Sequence, residues 1–174
     1  MHAGEQCIIA IDGGTQSTKV ALFDLLGHEI CSQSVKLRPL DLQDDNIAEH
    51  PDDDLWDSLA EACQRLFAEF GGSKSNIIGV GLGSIRCCRA LLKQDGSLAS
   101  PVQSWMDMRL SKPYEHVDDD VRYVTTATGY LTYRLTGALK DTRCNYVGPW
   151  PLDPASLEWI EDEKAFDAYN TPRN

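Results

Sequence analysis

Long hydrophobic runs are missing from this sequence. None of its apolar stretches approaches the roughly 20 residues that a membrane-spanning helix needs, and the amino terminus lacks the basic segment and apolar core of a secretion signal. We therefore expect a cytoplasmic protein without a membrane partner. The chain has 174 residues, of which 42% are hydrophobic and 25% charged, and this is enough for a domain with its own core.

Basic residues are also scarce. Sixteen lysines and arginines stand against 27 aspartates and glutamates, so the formal net charge is -11. A chain of this charge repels nucleic acids and anionic membranes, and we expect neither as a partner. A bound polyphosphate would need local dipoles, Mg²⁺ or a few well-placed cations.

Several common motifs are absent as well. The six cysteines form no CxxC pair and are expected to be reduced. The four histidines are dispersed in predicted turns and loops, so they indicate no nucleophile–base pair. Neither a P-loop nor a dinucleotide-binding glycine fingerprint occurs.

Residues 7–24 predict a β-hairpin. Two short apolar runs, 7–11 and 20–23, are typical of strands. Between them, Gly13 and Gly14 permit positive φ and the close approach of a ligand to the backbone. Most Gly-Gly hairpins bind nothing, so a purely structural turn remains an alternative.

The turn of this hairpin has the chemistry that a phosphate needs. Hydroxyl groups stand beside free backbone N–H groups, and both are donors for an anion. If the turn binds phosphate, Asp12 at the strand end faces a metal ion or the transferred phosphoryl group. The hydroxyl-bearing residues are Thr15, Ser17 and Thr18.

The rest of the chain predicts an α/β domain. A helix over residues 53–70 is indicated by one apolar face, on which Trp56 is expected in the core; Asp52 or Asp53 caps this helix and Gly71-Gly72 ends it. We predict a solvated acidic loop at 40–54. Further strands are expected at 29–37, 76–83, 86–93 and 102–105, a helix from 122 to 137, and a short acidic helix at 156–169 after an irregular Pro-rich stretch. Three adjacent strands, a helix and then more strands and helices are the order expected of a ribonuclease-H-like domain, with a mixed sheet flanked by helices.

Charged and aromatic residues follow two of these strands. Arg86 suits sugar hydroxyls or a phosphate, and Asp107 can accept hydrogen bonds from two hydroxyls. Trp105 offers an apolar face on which a sugar ring can stack. The alternative is structural: an ion pair of Asp107 with Arg109 or Arg86 beside a core tryptophan, which the residues by themselves slightly favour.

Five short motifs occur in order along the chain. They are DGGTQSTK at 12–19, Glu49-His50-Pro51 with Trp56, GVGLGSIR at 79–86, WMDMR at 105–109 and YLTYRLTG at 130–137. Together they resemble the N-terminal domain of the FGGY carbohydrate kinases, which include xylulose, ribulose, gluconate and glycerol kinases. The first motif is similar to the D-x-G-T-x-S-x-[KR] phosphate motif of that family.

The resemblance implies an actin-like ATPase-type domain that uses ATP and Mg²⁺ to phosphorylate a sugar or polyol hydroxyl. By it, Asp12 helps to hold Mg²⁺ and Lys19 lies near the γ-phosphate. The residues implied in nucleotide contacts are Gly14, Thr15, Gln16, Ser17 and Lys19. Those that fall where family members contact the sugar are Arg86, Cys87, Trp105 and Asp107.

The sequence departs from the family pattern in three places. Arg86-Cys87 matches neither the Arg-acid pair of the glycerol-kinase-like members nor the Met-His pair of the xylulose-kinase-like ones, so the resemblance names no substrate. Only twenty residues separate Arg109 from Tyr130, which is fewer than usual, and Gly129 replaces the usual aspartate before this helix.

The family's general base, an aspartate, and its adenine pocket lie beyond the matched region. We therefore expect residues 1–174 to form an incomplete N-terminal kinase domain, with no catalytic residue of its own and without the second, C-terminal actin-like domain. Two alternatives remain: a glucokinase-type phosphotransferase, and a non-catalytic nucleotide- or sugar-binding module. A homodimer is one of the assemblies left open.

Overall fold

The chain divides into two compact units. The first unit comprises Met1–Arg38 and Asp54–Ile85, and the second comprises Pro39–Asp53 and Arg86–Asn174. A computed structural model describes residues 6–111, 114–146, 150 and 152–160.

A four-stranded sheet forms the centre of the first unit. Strands β1 (Cys7–Gly13) and β2 (Ser17–Asp24) make the predicted hairpin, and β3 (Glu29–Lys36) pairs antiparallel with β2. Strand β6 (Ile77–Ser84) pairs parallel with β1, which gives the strand order β3-β2-β1-β6. The predicted three-stranded meander and mixed sheet are therefore confirmed.

Helix α1 (Asp54–Glu69) packs against β2 and β3. Its apolar residues recur every three or four positions, so one face of the helix is buried against the sheet and the predicted helix is confirmed. Trp56, predicted to lie in the core, is only half-buried. The buried apolar residues of this face are Leu55, Leu59, Ala62 and Leu66.

In the second unit, the segment predicted as an acidic loop at 40–54 contains a small hairpin. Strands β4 (Asp41–Gln43) and β5 (Ile47–Glu49) pair antiparallel. Ala48 is buried, and its carbonyl accepts a hydrogen bond from the Ser104 N–H at 2.9 Å. The loop prediction was wrong because it relied on the acidic composition, whereas the backbone of β5 is held by residues more than fifty positions away.

A second antiparallel pair joins β7 (Arg89–Leu92) and β8 (Tyr123–Thr126). The strand predicted at 86–93 is therefore shorter, because residues 86 and 87 form a turn. The strand predicted at 102–105 is reduced to isolated bridges of Gln103 with Glu49 and Arg89.

Helix α2 (Ala127–Thr136) begins five residues later than predicted. Residues 122–126 were assigned to the helix, but the aromatic and β-branched side chains of β8 favour a strand. The Thr126 hydroxyl accepts a hydrogen bond from the Gly129 N–H at 3.1 Å and caps the helix, and Gly137 ends it at φ +73° as predicted. No helix in the described ranges is both long and apolar enough to cross a membrane.

The short acidic helix predicted at 156–169 does not begin where expected. Residues 156–160 are not helical, because the Asp153 carboxylate accepts hydrogen bonds from the Ala155 and Ser156 N–H groups and holds a turn. Leu157 also has a positive φ of 57°. Residues 161–169 lie outside the described residues, as do 148, 149 and 151 of the Pro-rich stretch.

Gly96 is expected to tolerate an added side chain poorly. Its φ is +78°, and a Cβ there would lie 2.0 Å from Cε1 of Tyr133, whose hydroxyl donates to the Asp95 carbonyl at 2.6 Å. We predict that Gly96→Ala lowers the free energy of unfolding by about 2–4 kcal/mol through backbone strain and overpacking. Gly137→Ala, at φ +73° with open space around it, is the matched control and should lose only about 1 kcal/mol. Equal losses in denaturant titrations would contradict the clash with Tyr133.

Candidate functional site

The turn between β1 and β2 exposes two adjacent backbone N–H groups. The Gly14 N–H donates to the Ser17 carbonyl at 3.0 Å, and the Gln16 carbonyl accepts from the Leu37 N–H at 2.9 Å. Thr15 and Gln16 are exposed, and their own N–H groups find no acceptor in the part of the chain that the structure describes. Neighbouring free N–H groups at a turn attract an anion.

Gly13 and Gly14 are needed for close packing. Gly13 lies beside Ser84 at the ends of parallel strands, and a Cβ on Gly13 would lie 2.9 Å from the Ser84 hydroxyl oxygen. A Cβ on Gly14 would lie 3.0 Å from the Ser17 carbonyl oxygen. Neither glycine has a positive φ. The positive φ that this glycine pair permits is therefore not used in the turn, and the close approach of a ligand stays a prediction.

Asp12 and Lys19 are opposite each other on β1 and β2, and both are exposed. The Asp12 carboxylate has no hydrogen-bond partner among the described residues. The Lys19 ammonium lies 3.2 Å from Glu29, with 49% and 42% of the two side chains exposed. An exposed pair of this kind contributes little, so Lys19 can exchange Glu29 for a more highly charged ligand.

The hydroxyl of Thr18 is not available to a ligand. Thr18 is 2% exposed, and its Oγ1 lies 2.8 Å from Oγ of Ser58 on α1. Because Ser58 donates to the Leu55 carbonyl at 3.2 Å, Thr18 is the donor in the bond to Ser58. Of the three predicted donors, Thr18 therefore fastens the hairpin to the helix, while Thr15 and Ser17 remain at the turn.

The residues predicted to contact a sugar all belong to the second unit. Arg86 and Cys87 are exposed in a turn, where Cys87 has a positive φ of 61°, which is a strained conformation for a residue with a Cβ. Cys88, by contrast, is buried, and burial raises the pKa of its thiol to about 12. Of this pair, Cys87 is therefore the exposed residue.

Trp105 and Asp107 lie two residues apart and in opposite environments. Trp105 is 52% exposed, whereas none of the Asp107 side chain is exposed. Both Asp107 oxygens are occupied: Oδ1 accepts from the N–H and the Nε of Arg109 at 2.9 Å each, and Oδ2 accepts from the Ala48 N–H at 2.9 Å and from Arg109 Nη2 at 2.6 Å. The ion pair that the residues alone slightly favoured is present.

The Asp107 carboxylate is ionised in this setting. Burial by itself would raise its pKa, but the hydrogen bonds from Arg109 and from the Ala48 N–H outweigh burial, so its pKa lies below the ordinary value. The hydrogen bonds of Arg109 to Asp107 raise the pKa of the guanidinium, and so does its hydrogen bond to Glu49 at 2.6 Å. Glu49 and Arg109 belong to separate sequence motifs, and the motifs did not predict the ion pair between these two residues.

This cluster fixes the turn that carries Trp105. The Asp107 N–H donates to the Ser104 carbonyl at 2.9 Å, and the Ser104 N–H donates to the Ala48 carbonyl at 2.9 Å. Asp107 and its partners therefore bind both sides of the turn and hold the indole in an exposed position. Within the described residues, no group of three or more His, Cys, Asp or Glu side chains is arranged for a metal ion.

Comparisons with known proteins agree with the predicted motifs. The family model for the N-terminal domain of the FGGY family of carbohydrate kinases matches residues 7–140. An uncharacterized sugar kinase of Escherichia coli (strain K12), YgcE, is 54% identical over 167 residues, which are 96% of this chain and 34% of that protein. The chain thus spans about a third of the length of this curated relative.

Solved structures confirm the ribonuclease-H-like α/β fold. Gluconate kinase and xylulose kinase of Lactobacillus acidophilus each superpose with a TM-score of 0.80 at 20% identity. Both comparisons cover 97% of this chain, and 42% and 40% of the two kinases respectively. Because the family model covers most of the sequence and the relative shares more than half of its aligned residues, the chain belongs to the FGGY family of carbohydrate kinases and carries the family's N-terminal domain.

Proposed function

We propose that this chain is the amino-terminal part of a cytoplasmic, ATP-dependent carbohydrate kinase that phosphorylates a hydroxyl group of a small sugar or polyol. The observation that carries the proposal is the β1–β2 turn. The N–H groups of Thr15 and Gln16 find no acceptor among the described residues, and the Asp12 carboxylate, two glycines earlier in the chain, finds no partner there either. This combination is suited to a polyphosphate and its metal ion.

The nucleotide would be held by the residues of this turn. We assign the phosphate contacts to Gly14, Thr15, Gln16, Ser17 and Lys19, and the Mg²⁺ contact to Asp12. A single carboxylate fits Mg²⁺, which usually combines one or two carboxylates with substrate phosphates and water. Bound ATP supplies the phosphoryl group, and Mg²⁺ offsets the charge that develops during its transfer. Lys19 brings a positive charge to this turn, which favours a polyphosphate on a chain whose net charge of -11 repels it.

The sugar would be held in the second unit. Arg86 can donate to hydroxyl groups through its rigid guanidinium, Cys87 lines the same turn, and Trp105 offers an exposed ring face. Asp107 was predicted as a direct contact. Its saturated carboxylate supports a contribution through the position of Trp105.

We also propose that the kinase extends well beyond these residues. The chain covers 34% of its relative, and the family's general base and second actin-like domain have no counterpart within the matched motifs. Strand β6 supports this view, because it lies at the edge of its sheet with Ile78 and Val80 54% and 57% exposed. Exposed apolar side chains on an edge strand are usually covered by further polypeptide.

The test compares the 174-residue chain with the longer protein in a coupled assay of ADP release. We expect no sugar-dependent ADP release from the chain alone, because positioning, Mg²⁺ and an oriented base are all required for phosphoryl transfer. The longer protein should turn over at least one member of a panel of ketoses, polyols and sugar acids. Turnover by the isolated chain would contradict the incomplete-domain proposal.

A thermal-shift screen of the longer protein separates the enzyme from its non-catalytic alternative. A ligand at a hundredfold excess over its dissociation constant stabilises the folded state by about 2.7 kcal/mol, which is a visible shift. A sugar that stabilises the protein and is also phosphorylated supports the kinase. A sugar and ATP that both stabilise it without any turnover would instead identify a non-catalytic binding module.

A further inference from the structure

The ammonium of Lys19 is held by Glu29 on β3. It donates to Oε2 of Glu29 at 3.2 Å, and Oε1 of the same carboxylate accepts a hydrogen bond from the Ser32 hydroxyl at 2.7 Å. The hydrogen bonds from Ser32 and Lys19 lower the pKa of Glu29 below its ordinary value, so this carboxylate is charged at neutral pH. The cation proposed for the phosphates is therefore engaged by an anion of its own unit.

The register of the sheet shows in which direction this contact draws Lys19. Lys19 is paired with Ser34 on β3, whereas Glu29 is paired with Phe23, four residues farther along β2 from the β1–β2 turn. At roughly 3.3 Å per residue, these two positions on β2 are about 13 Å apart along the strand. Two side chains that meet at 3.2 Å across this separation reach toward each other, so the Lys19 ammonium is directed toward Phe23 and away from the turn.

This direction matters for a nucleotide whose phosphates bind at the turn. Lys19 has to turn back from Glu29 to contact a phosphate there. The exchange costs little, because 49% and 42% of the two side chains are exposed and such a pair adds little to the fold. A γ-phosphate carries more negative charge than one carboxylate and can displace Glu29, whereas ADP lacks this group.

We propose that Glu29 is a positioning residue, which holds Lys19 away from the turn while no γ-phosphate is bound and releases it to the γ-phosphate of ATP. The inference rests on the proposed kinase function and deepens it, because it assigns to Glu29 a part in the discrimination between ATP and ADP. Once the phosphoryl group has been transferred, Lys19 returns to Glu29, and this favours the release of ADP.

The first test is an NMR titration of the ¹⁵N-labelled 174-residue chain and its Glu29→Gln variant with MgATP and with MgADP, followed at the Thr15 and Gln16 N–H resonances. Without the competing carboxylate, MgATP should bind about two- to fivefold more tightly, while the affinity for MgADP stays unchanged. Glu61→Gln is the matched control for net charge, since it removes a comparably exposed carboxylate that pairs with Arg65 on α1. It should alter neither affinity.

The outcomes separate this inference from the proposed function. If Thr15 and Gln16 shift but MgATP affinity is the same with and without the Glu29 carboxylate, the role of Glu29 is overturned and the phosphate turn stands. Equal gains for MgATP and MgADP lead to the same conclusion. No shift at Thr15 and Gln16 with either nucleotide overturns the phosphate assignment of the turn and this inference together.

The second test is a double-mutant cycle that shows whether Glu29 acts through Lys19. In the Lys19→Gln background, Glu29→Gln should no longer alter MgATP affinity, since no ammonium is left to release. A gain that persists in this background would assign the effect to the charge of Glu29 alone and contradict the proposal. If Glu29→Gln does not fold, Glu29→Asp takes its place: the shorter side chain withdraws from Lys19 but keeps the charge, and only MgATP affinity should rise.

Discussion

Asp12→Asn in the proposed longer kinase is expected to reduce sugar-dependent ATP turnover about 100- to 1,000-fold. Asparagine keeps the shape of the side chain but removes the negative charge proposed to attract Mg²⁺. Asp12 is exposed and has no hydrogen-bond partner in the described part of the chain, so the substitution breaks no contact of the fold. The loss should therefore appear in turnover, while protein stability and sugar affinity stay close to wild type.

Three measurements make this expectation specific to the metal. The Mg²⁺ concentration needed for half-maximal turnover should rise in Asp12→Asn, sugar binding by thermal shift should persist, and the midpoint of unfolding should not fall. Asp57→Asn is the matched control, since Asp57 is an exposed carboxylate on α1 of the same unit. Unchanged turnover in Asp12→Asn would remove the metal role of this residue, and an equal loss in Asp57→Asn would trace the effect to overall charge.

Elements with a local cause could be predicted from the sequence. The hairpin and helix α1 follow from the spacing of their own apolar residues, and both were found close to the expected bounds. Residues 122–126 were assigned to the wrong element because a few aromatic and β-branched residues are compatible with either structure. Pairing of β8 with β7, more than thirty positions earlier, settles the choice, and no local pattern contains that information.

The sequence predicted which chemical groups lie at the candidate site better than it predicted what each group does there. Thr18 has a hydroxyl beside the turn that could donate to a phosphate. Its hydrogen bond to Ser58, however, depends on where α1 packs. Asp107 has a carboxylate that can accept two sugar hydroxyls, but Glu49 and Ala48 meet the 107–109 segment only in the folded chain. Contacts across forty to sixty positions decide whether a polar side chain is free for a ligand, and a short sequence motif does not contain that information.

Asp107→Asn is expected to destabilise the second unit strongly. It leaves the volume nearly unchanged but removes a fully buried charge that accepts four hydrogen bonds, three of them from Arg109. We expect the free energy of unfolding to fall by about 2–3 kcal/mol at neutral pH. This is at or below the lower end of the roughly 3–5 kcal/mol that is typical of breaking a buried ion pair. The loss is smaller here because Arg109 is 39% exposed and keeps its ion pair with Glu49. Amide hydrogen exchange at Ala48, whose N–H donates to the Asp107 carboxylate, should accelerate in the variant.

The pH dependence of this loss identifies its cause. The folded pKa of Asp107 lies below its unfolded value, so the stability that its charge provides is fully present above the unfolded pKa near 4 and is lost as the pH falls through the folded pKa. The difference in unfolding free energy between the wild type and Asp107→Asn should therefore be constant above about pH 5 and should shrink below about pH 4. Asp119→Asn, which alters an exposed carboxylate of the same unit, should stay within about 0.5 kcal/mol of wild type. A difference that persists unchanged at low pH would mean that side-chain shape, and not the Asp107 charge, holds the turn that carries Trp105.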